Sequence, residues 1–354
     1  MELNNIIFSL LLVFFNFFLS KYLLLKFNRD RLKILSDDQF KKPQAFHESS
    51  TYRLGGLIFF CSLILTFLYL FYFKNIYHLE YLSFCTLFFI IGFMDDLKIN
   101  LKPKLRLLLM IVFISFLVVL NNFYVTKTGI EFLNRLLEID IFSLMFTSLC
   151  FLFIVNGSNL IDGFNGLLGI QSLIIFIVLM LINIVNGNNE LVYILFFLSL
   201  LTLIFLKFNF PRAEIFLGDG GAYLIGIAIA ISIVKTSILN PFISPFFFCI
   251  LLFYLFFEVF FSFFRKAIFL KKNPLFPDDK HLHMCLYKYL FKNNNNKLKS
   301  NYMVSTYINF LYFLAIIPGI VFMKNGFFCK YYFLFVLILY IFFYKTLYAK
   351  MNKY

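Results

Sequence analysis

Eleven apolar runs of about twenty residues limit this chain more than any other feature of its sequence. A helix of about twenty residues spans the hydrocarbon core of a bilayer, and it satisfies its own backbone amides without water. The runs lie near residues 3–27, 54–73, 79–94, 105–125, 139–155, 167–185, 191–208, 215–234, 241–264, 302–323 and 327–348. Because 62% of the residues are hydrophobic and 14% are charged, we expect an all-α polytopic membrane protein with a single domain, 1–354.

Basic residues are distributed unevenly between the two sets of connecting segments. With the N-terminus outside, the inward segments 26–53, 95–106, 156–166, 207–219, 265–301 and 345–354 carry 25 of the 32 Lys and Arg residues. Cytoplasmic segments of membrane proteins carry such an excess. We therefore expect an outside N-terminus and a cytoplasmic C-terminus. The net charge of +14 then reflects this topology and attraction to anionic lipid, or a functional site as well.

Two adjacent carboxylates, Asp95 and Asp96, follow the third run in the segment GFMDDLK. The C-terminal end of a helix disfavours each anion by about 0.3–1 kcal/mol, so a cation should compensate them. One interpretation is an interfacial acid pair neutralised by Lys98, Lys102 and Lys104. The other is a general-base or divalent-cation site, since Mg²⁺ takes one or two carboxylates and shares its remaining positions with water and phosphate.

The segment NGSNLIDGFNGL, residues 156–167, holds three Asn, one Asp and three Gly. Its glycines allow tight turns and close approach of a ligand. A plain polar turn is one interpretation. The density of amide and carboxylate groups favours a ribose, a base or a metal as ligand.

The segment FPRAEIFLGDGG, residues 210–221, leads into the eighth run. Asp219 lies there among glycines near a predicted helix N-terminus, where backbone amides bind phosphate. A carboxylate would repel a diphosphate unless a metal ion joined the two. The alternative is that Asp219 is an N-cap residue.

The basic segment 265–301 is predicted to be a cytoplasmic substrate loop. It begins with Arg265 and contains NPLFPDDKHLH, in which His281 and His283 are two residues apart. This spacing matches no zinc motif. Next to basic residues, the two histidines suit an anionic diphosphate, although a solvated loop is also compatible with them.

Two further polar segments are less specific. Lys41, Lys42 and Pro43, followed by Arg53 in RLGG, precede the second run, and basic residues before a membrane helix are common. The segment KNNNNK, residues 292–297, is typical of a flexible solvated loop.

In chain order, five segments resemble motifs of the polyprenyl-phosphate N-acetylhexosamine-1-phosphate transferases (glycosyltransferase family 4), whose superfamily includes phospho-MurNAc-pentapeptide translocase. They are RLGG, GFMDDL with KPKLRLL, NGSNLIDGFNGLLG, FPRAEIFLGDGG and PDDKHLHM. They run from Arg53 to Met284, each at an expected cytoplasmic helix end. The eleven-span topology is also similar to that of the family. Two residues depart from its pattern, because Asn165 replaces a frequent Asp and Met284 replaces a third His.

The resemblance implies transfer of N-acetylhexosamine-1-phosphate from a UDP-sugar to polyprenyl (undecaprenyl) phosphate with release of UMP, at the start of lipid-linked glycan synthesis. The implied catalytic residues are Asp95, Asp96, Asp219, His281 and His283. Of these, Asp95 is the expected acceptor of the lipid phosphate proton.

The resemblance also implies a set of ligand contacts. Asn159 and Asp219 are expected to coordinate Mg²⁺, with Mn²⁺ as an alternative ion. The implied substrate-binding residues are Lys42, Arg53, Asn156, Asp162, Asn165, Phe216 and Arg265. Among them, Asn165 and Phe216 are expected near uridine, and Arg265 near the diphosphate or sugar together with the histidines.

The implied location is the bacterial inner membrane, with the active site on its cytoplasmic face. The expected partners are the membrane, polyprenyl phosphate and a UDP-N-acetylhexosamine; no nucleic-acid polymer is expected, and a homodimer is left open. Residues Pro277 and Asp278, with the histidines, resemble the branch that uses UDP-N-acetylhexosamines. The alternative branch is the phospho-MurNAc-pentapeptide translocase.

Two function classes outside this superfamily remain as alternatives, a transporter or flippase and a non-catalytic membrane scaffold. A transporter should carry ionisable groups near mid-membrane on broken helices. In this sequence, Glu258 and Lys21 are the nearest such groups, and both lie toward inner ends. Release of UMP from a UDP-sugar by the purified protein distinguishes the transferase from both alternatives.

The topology can be tested with single cysteines at Lys41, Lys98, Asn159 and Asp279 in a cysteine-free background. We expect a membrane-impermeant thiol reagent to label all four from the cytoplasmic side, because they lie in the basic segments. A cysteine at Lys127 is the control and should react from outside. Labelling of any two of the four from outside would reverse the orientation.

Overall fold

A computed structural model describes residues 3–30, 35–37, 51–99, 101–269, 271 and 279–352. These residues are helical almost throughout, which confirms an all-α polytopic protein. The helices are α1 (Leu3–Asp30), α2 (Gly55–Lys74), α3 (Leu79–Asp96), α4 (Pro103–Asn121), α5 (Glu131–Leu137), α6 (Asp140–Ile161), α7 (Leu167–Val185), α8 (Asn189–Asn209), α9 (Gly218–Leu239), α10 (Pro245–Leu251), α11 (Phe253–Phe264), α12 (Leu282–Asn294), α13 (Lys297–Val321) and α14 (Gly326–Asn352). A π-helical turn, Arg265–Phe269, follows α11. Two short antiparallel strands, β1 (Ser36–Asp37) and β2 (Thr51–Tyr52), precede α2.

Nine helices of the described part of the chain are long and apolar enough to cross a membrane, and the bent pair α10–α11 adds a tenth. The eleventh predicted run is α3, whose 18 residues include Glu80, Asp95 and Asp96. These acids lie near the two ends of α3, and the segment between them is apolar. The eleven predicted runs therefore each correspond to a helix or to the bent pair.

The ninth run was predicted as a single helical span over 241–264, but the structure divides it into two helices. It forms α10 and α11, which meet at an angle of 80° around Leu252. The hydroxyl of Tyr312 donates to the Leu251 carbonyl at 2.5 Å, which satisfies an acceptor at the break. The backbone of Leu255 packs against Gly157 of α6. Tertiary contacts rather than Pro or Gly thus set this bend.

Two predicted loops are partly helical. Helix α6 continues to Ile161, so Asn156 and Asn159 lie in its last turns rather than in a loop. The reason is packing, since a Cβ on Gly157 would meet the α11 backbone at 2.2 Å. Such contacts outweigh the weak helix propensity of Asn and Gly.

The predicted loop 265–301 also contains α12 and the first turn of α13. The asparagine run of this segment lies at the end of α12 and the start of α13 rather than in a flexible loop. Asn295 adopts a left-handed conformation after α12, and the Asn296 side chain accepts a hydrogen bond from Lys299 N at 2.8 Å.

Helix α9 lies at the centre of the bundle and is buried on all sides, as expected of a helix that is apolar all round. It packs against α2, α3, α6 and α7. Small residues allow the closest approaches: Gly56 faces Gly221, and Gly92 faces the backbone of Asp219 and Gly220. The C-terminal end of α3 is therefore held directly against the N-terminal end of α9.

We expect Gly92→Ala to destabilise the protein, because the new Cβ would lie 2.4 Å from the Asp219 carbonyl oxygen. Overpacking of this kind costs about 1–3 kcal/mol, and here the obstacle is backbone. The measurement is the thermal unfolding midpoint of the purified protein in detergent. Gly326→Ala is the matched control, since its Cβ would meet only Ser244 Oγ at 3.8 Å. Equal midpoints for the two variants would contradict this packing.

Candidate functional site

The carboxylate of Asp96, at the end of α3, receives two backbone amides from the start of α9. Asp219 N donates to Oδ1 at 3.0 Å, and Gly220 N donates to Oδ2 at 2.9 Å. Arg53 Nη1 adds an ion pair at 3.2 Å. Gly218 is required beside it, because its φ is +76° and a Cβ would lie 2.6 Å from the carboxylate. The acid that satisfies the α9 N-terminus is thus Asp96 rather than Asp219.

Two arginines bridge the aspartates at this end of the bundle. Arg106 Nη1 pairs closely with Asp95 Oδ2 and lies 3.6 Å from Asp219 Oδ2. Arg53 Nη1 lies 3.9 Å from Asp219 Oδ1. The structure therefore brings together four residues that were predicted as site residues: Asp95, Asp96, Asp219 and Arg53. The expected cationic compensation comes from arginines.

Arg106 was not among the predicted site residues. It lies one turn into α4, after Pro103 at the helix start, and its guanidinium also lies 5.8 Å from the centre of the Tyr223 ring. The signal that could have identified it was present in KPKLRLL. An acid pair at a helix end needs a cation, and Arg106 belongs to the nearest basic segment.

Asp162 follows α6 and belongs to the same cluster. Burial raises the pKa of its carboxyl well above the usual range, and the charges of Asp219 and Asp96 raise it further, while Arg53 opposes them. Four carboxyl groups thus lie near two arginines. A cation bound among them would favour their ionised forms.

Asn159 and Asp219 were predicted to bind a metal ion, and both are associated with the first turns of α9. Asn159 Nδ2 donates to the Tyr223 hydroxyl at 3.3 Å, which leaves its Oδ1 as an acceptor, and Tyr223 lies one turn after Asp219. No group of three or more His, Cys, Asp or Glu side chains in the described ranges is arranged to hold a metal ion. A cation here would therefore need ligands from the substrate as well, as Mg²⁺ usually does.

Asn165 forms contacts within the protein that explain its departure from the family pattern. Its Nδ2 donates to the Pro211 carbonyl at 3.0 Å, which an aspartate could not do. Its backbone N donates to Asn301 Oδ1 at 2.9 Å. The amide hydrogen bond fastens the 162–166 loop to the segment before α9, and the uridine contact of Asn165 stays a prediction.

Two other predicted substrate-binding residues, Asn156 and Phe216, lie on α6 and in the segment before α9. Asn156 Nδ2 donates to the Leu152 carbonyl of its own helix at 2.8 Å. Phe216 is half-buried, with its backbone N donating to Tyr52 O at 2.9 Å and its carbonyl accepting from Gly55 N at 2.8 Å. Lys42 lies outside the described residues.

The two histidines form a second group, next to a buried glutamate. His281 Nδ1 lies 3.0 Å from Glu258 Oε2, and the His281 and His283 rings stack with centroids 5.4 Å apart. The Tyr254 hydroxyl lies 3.1 Å from His283 Nδ1. Burial lowers the pKa of His283 to about 3, so His283 is neutral at physiological pH and can contact a diphosphate only as a hydrogen-bonding group.

Three neighbours complete this second group. The Arg265 guanidinium is buried and lies 5.9 Å from the Tyr344 ring centre. Met284 is buried in the core, so the residue in the place of a third His packs with apolar side chains. Phe164 lies 5.5 Å from the His283 ring, and it joins the histidines to the loop that carries Asp162. Glu258 was missed as a site residue, although a lone acid within an apolar run was a usable signal.

Comparison with known proteins relates the chain to one family. The sequence profile described as glycosyl transferase family 4 matches residues 78–237, which include the acid pair, the polar loop and the start of α9. A phospho-N-acetylmuramoyl-pentapeptide-transferase of Prochlorococcus marinus subsp. pastoris is 33% identical over 266 residues, or 68% of this chain and 72% of the relative.

Two further relatives carry the same name. The protein of Dictyoglomus turgidum is 30% identical over 245 residues, covering 67% of this chain and 75% of the relative. That of Clostridium botulinum (strain Alaska E43 / Type E3) is 32% identical over 197 residues, covering 53% of this chain and 61% of the relative. With these similarities extending over the acid pair and the polar loop, the chain belongs to glycosyl transferase family 4, a family of membrane-bound sugar-phosphate transferases.

Proposed function

We propose that this protein transfers a sugar-1-phosphate from a UDP-sugar to a polyprenyl phosphate and releases UMP. The observation that carries the proposal is the convergence of Asp95, Asp96, Asp162 and Asp219 with two arginines at one end of the bundle. We place this end at the cytoplasmic face of a bacterial inner membrane, as the distribution of basic residues favours. A lipid substrate stays in the bilayer because each buried CH₂ contributes about 0.8 kcal/mol, so the nucleotide comes to it.

In this reaction an oxygen of the lipid phosphate attacks the sugar-linked phosphorus of the donor. A new P–O bond forms, the bond to the UMP oxygen breaks, and the electron pair leaves with UMP. The resemblance assigns to Asp95 the role of accepting the lipid phosphate proton, and its ion pair with Arg106 holds the carboxylate at the end of α3. Arg53 and Arg106 can reduce the repulsion between two phosphate groups.

We further propose that the site binds Mg²⁺, or Mn²⁺ in its place, through Asp219 and Asn159. The clustered carboxyl groups and the acceptor on Asn159 favour a hard divalent ion. When bound, such an ion neutralises charge on transferring and leaving phosphate oxygens. Asp162 interacts electrostatically with Asp219 and Asp96, and its carboxyl group can supply a further oxygen ligand to the ion.

The donor is the point on which sequence and comparisons differ. The sequence favoured a UDP-N-acetylhexosamine, but Pro277 and Asp278, on which that preference partly rested, lie outside the described residues. The relatives that cover most of the chain are named for the phospho-N-acetylmuramoyl-pentapeptide reaction. We therefore propose UDP-MurNAc-pentapeptide as the donor, which was the alternative at the sequence level.

Donor choice can be measured by transfer of radiolabel from each UDP-sugar to undecaprenyl phosphate, with purified protein and Mg²⁺. We expect turnover with UDP-MurNAc-pentapeptide and at least about 100-fold slower transfer from UDP-GlcNAc. The reason is that the wrong donor leaves buried polar groups of the site without hydrogen-bond partners. Preferential use of UDP-GlcNAc would assign the chain to the other branch. UMP release from neither donor would refute the transferase reaction.

Asp219→Asn tests the proposed metal role. We expect turnover to fall by about 100-fold or more, because the variant weakens binding of the ion that stabilises phosphate charge. Mg²⁺ should raise the thermal unfolding midpoint of the wild-type protein, since binding to the folded state stabilises it, and this rise should be absent from Asp219→Asn. A wild-type-like rise in the variant would contradict the assignment.

Asp96→Asn distinguishes the structural acid from the metal-binding acid. Its carboxylate accepts two amides and an arginine, so we expect a loss of about 1–3 kcal/mol in stability. The unfolding midpoint without Mg²⁺ should therefore fall in Asp96→Asn and change little in Asp219→Asn. The reverse order would show that Asp219 holds the helix ends together.

A further inference from the structure

Glu258 is a buried acid for which the proposed reaction has no use. Its residue exposure is 1%, and it lies on α11, after the bend at Leu252. The carboxylate is contacted by His281 Nδ1 at 3.0 Å, Leu282 N at 3.2 Å and the Tyr340 hydroxyl at 2.7 Å, and the Tyr254 side chain interacts with it as well. An acid is costly to bury unless such partners compensate it, so these contacts must form together.

These contacts join three helices that are distant in sequence. Glu258 lies on α11, Leu282 is the first residue of α12, and Tyr340 lies on α14. The carboxylate receives the backbone amide at the N-terminus of α12, where an anion is favoured. Glu258 thereby fixes both the start of α12 and the histidine that immediately precedes it.

The contact with His281 also sets the position of a proton. A carboxylate only accepts hydrogen bonds, so Nδ1 of His281 must carry the hydrogen in that contact. In the neutral ring, Nε2 then bears the lone pair and is a hydrogen-bond acceptor. The His283 ring stacks on this ring with an interplanar angle of 4°, so the orientation of one ring restrains the other.

His283 has a polar atom that the fold does not use. Its Nε2 is buried and has no hydrogen-bond partner among the described residues, whereas Nδ1 lies next to the Tyr254 hydroxyl. Phe164, two residues after Asp162, packs against the same ring. The histidine pair is therefore held rigidly beside the loop of the acidic cluster.

We propose that Glu258 is a positioning residue, which fixes the tautomer and orientation of His281 and, through ring stacking, the orientation of His283. This inference rests on the proposed transfer reaction for its effect on turnover. The arrangement itself depends only on contacts within the chain. A partner that orients a histidine in this way typically changes activity by about 10- to 100-fold when it is replaced.

Glu258→Gln is the decisive variant because it preserves shape. The glutamine oxygen can accept from Leu282 N and Tyr340, which places its NH₂ group toward His281 Nδ1. Nδ1 must then become the acceptor, and the hydrogen moves to Nε2. We expect kcat to fall by about 10-fold or more, while the protein remains folded with a small change in unfolding midpoint.

A ¹⁵N spectrum of histidine-labelled protein reports the tautomer without any substrate. The chain has 4 histidines, so the His281 signals can be assigned by their loss in His281→Ala. We expect a protonated Nδ1 in the wild-type protein and a protonated Nε2 in Glu258→Gln. An unchanged His281 signal in the variant would overturn the proposal, whatever the activity of the protein.

Kinetics separate positioning from general stability. In the His281→Ala background, Glu258→Gln should cause no further loss of kcat, since coupled residues are non-additive.

Tyr81→Phe is the matched control. It removes a buried hydrogen bond of 2.9 Å between Tyr81 on α3 and Ser232 Oγ on α9, and it should leave kcat unchanged. Additive losses, or a wild-type kcat in Glu258→Gln, would contradict the proposal. A wild-type protein that transfers no sugar phosphate would refute the proposed function, and the spectrum would still decide this inference.

Discussion

The carboxylate of Asp96 connects the end of α3 to the start of α9, and the acidic cluster is built around that contact. It combines the amides at a helix N-terminus with Arg53, so an anion, a helix dipole and a cation stabilise one another. The contact is short because Gly92, Gly218 and Gly220 leave room for the two backbones to meet. Asp95 on α3 and Asp219 on α9 lie beside this contact, and both are consequently held near Arg106.

A bilayer explains why the polar groups are gathered in this way. Ionisable groups are expensive in the hydrocarbon region, so they collect at helix ends or pair with one another. The acidic cluster lies at helix ends. Glu258, which is buried on α11, pairs instead with His281 and Tyr340. In the loop between α6 and α7, Asp162 interacts electrostatically with the acidic cluster, and Phe164 packs against His283.

The bend between α10 and α11 determines the position of Glu258 and of the histidines next to it. Without it, a single helix would continue in the direction of α10, which packs against α13 and α14. The bend instead directs α11 along α6, where Gly157 accepts its backbone. Glu258 then faces the start of α12 and a tyrosine of α14. Neither group of residues is contiguous in sequence, and each is assembled from several helices.

The sequence alone determined the class of protein, the positions of its spans and most members of the acidic cluster. It could do so because hydrophobic length and charge placement are local properties, and the motifs lie at the ends of apolar runs. The bend at Leu252, the helical character of Asn159 and the partners of Glu258 were decided by tertiary structure. Each depends on which helices touch: a glycine that admits another backbone, or a buried acid that needs distant donors. Such contacts join residues far apart in the chain, and no local pattern of residues specifies them.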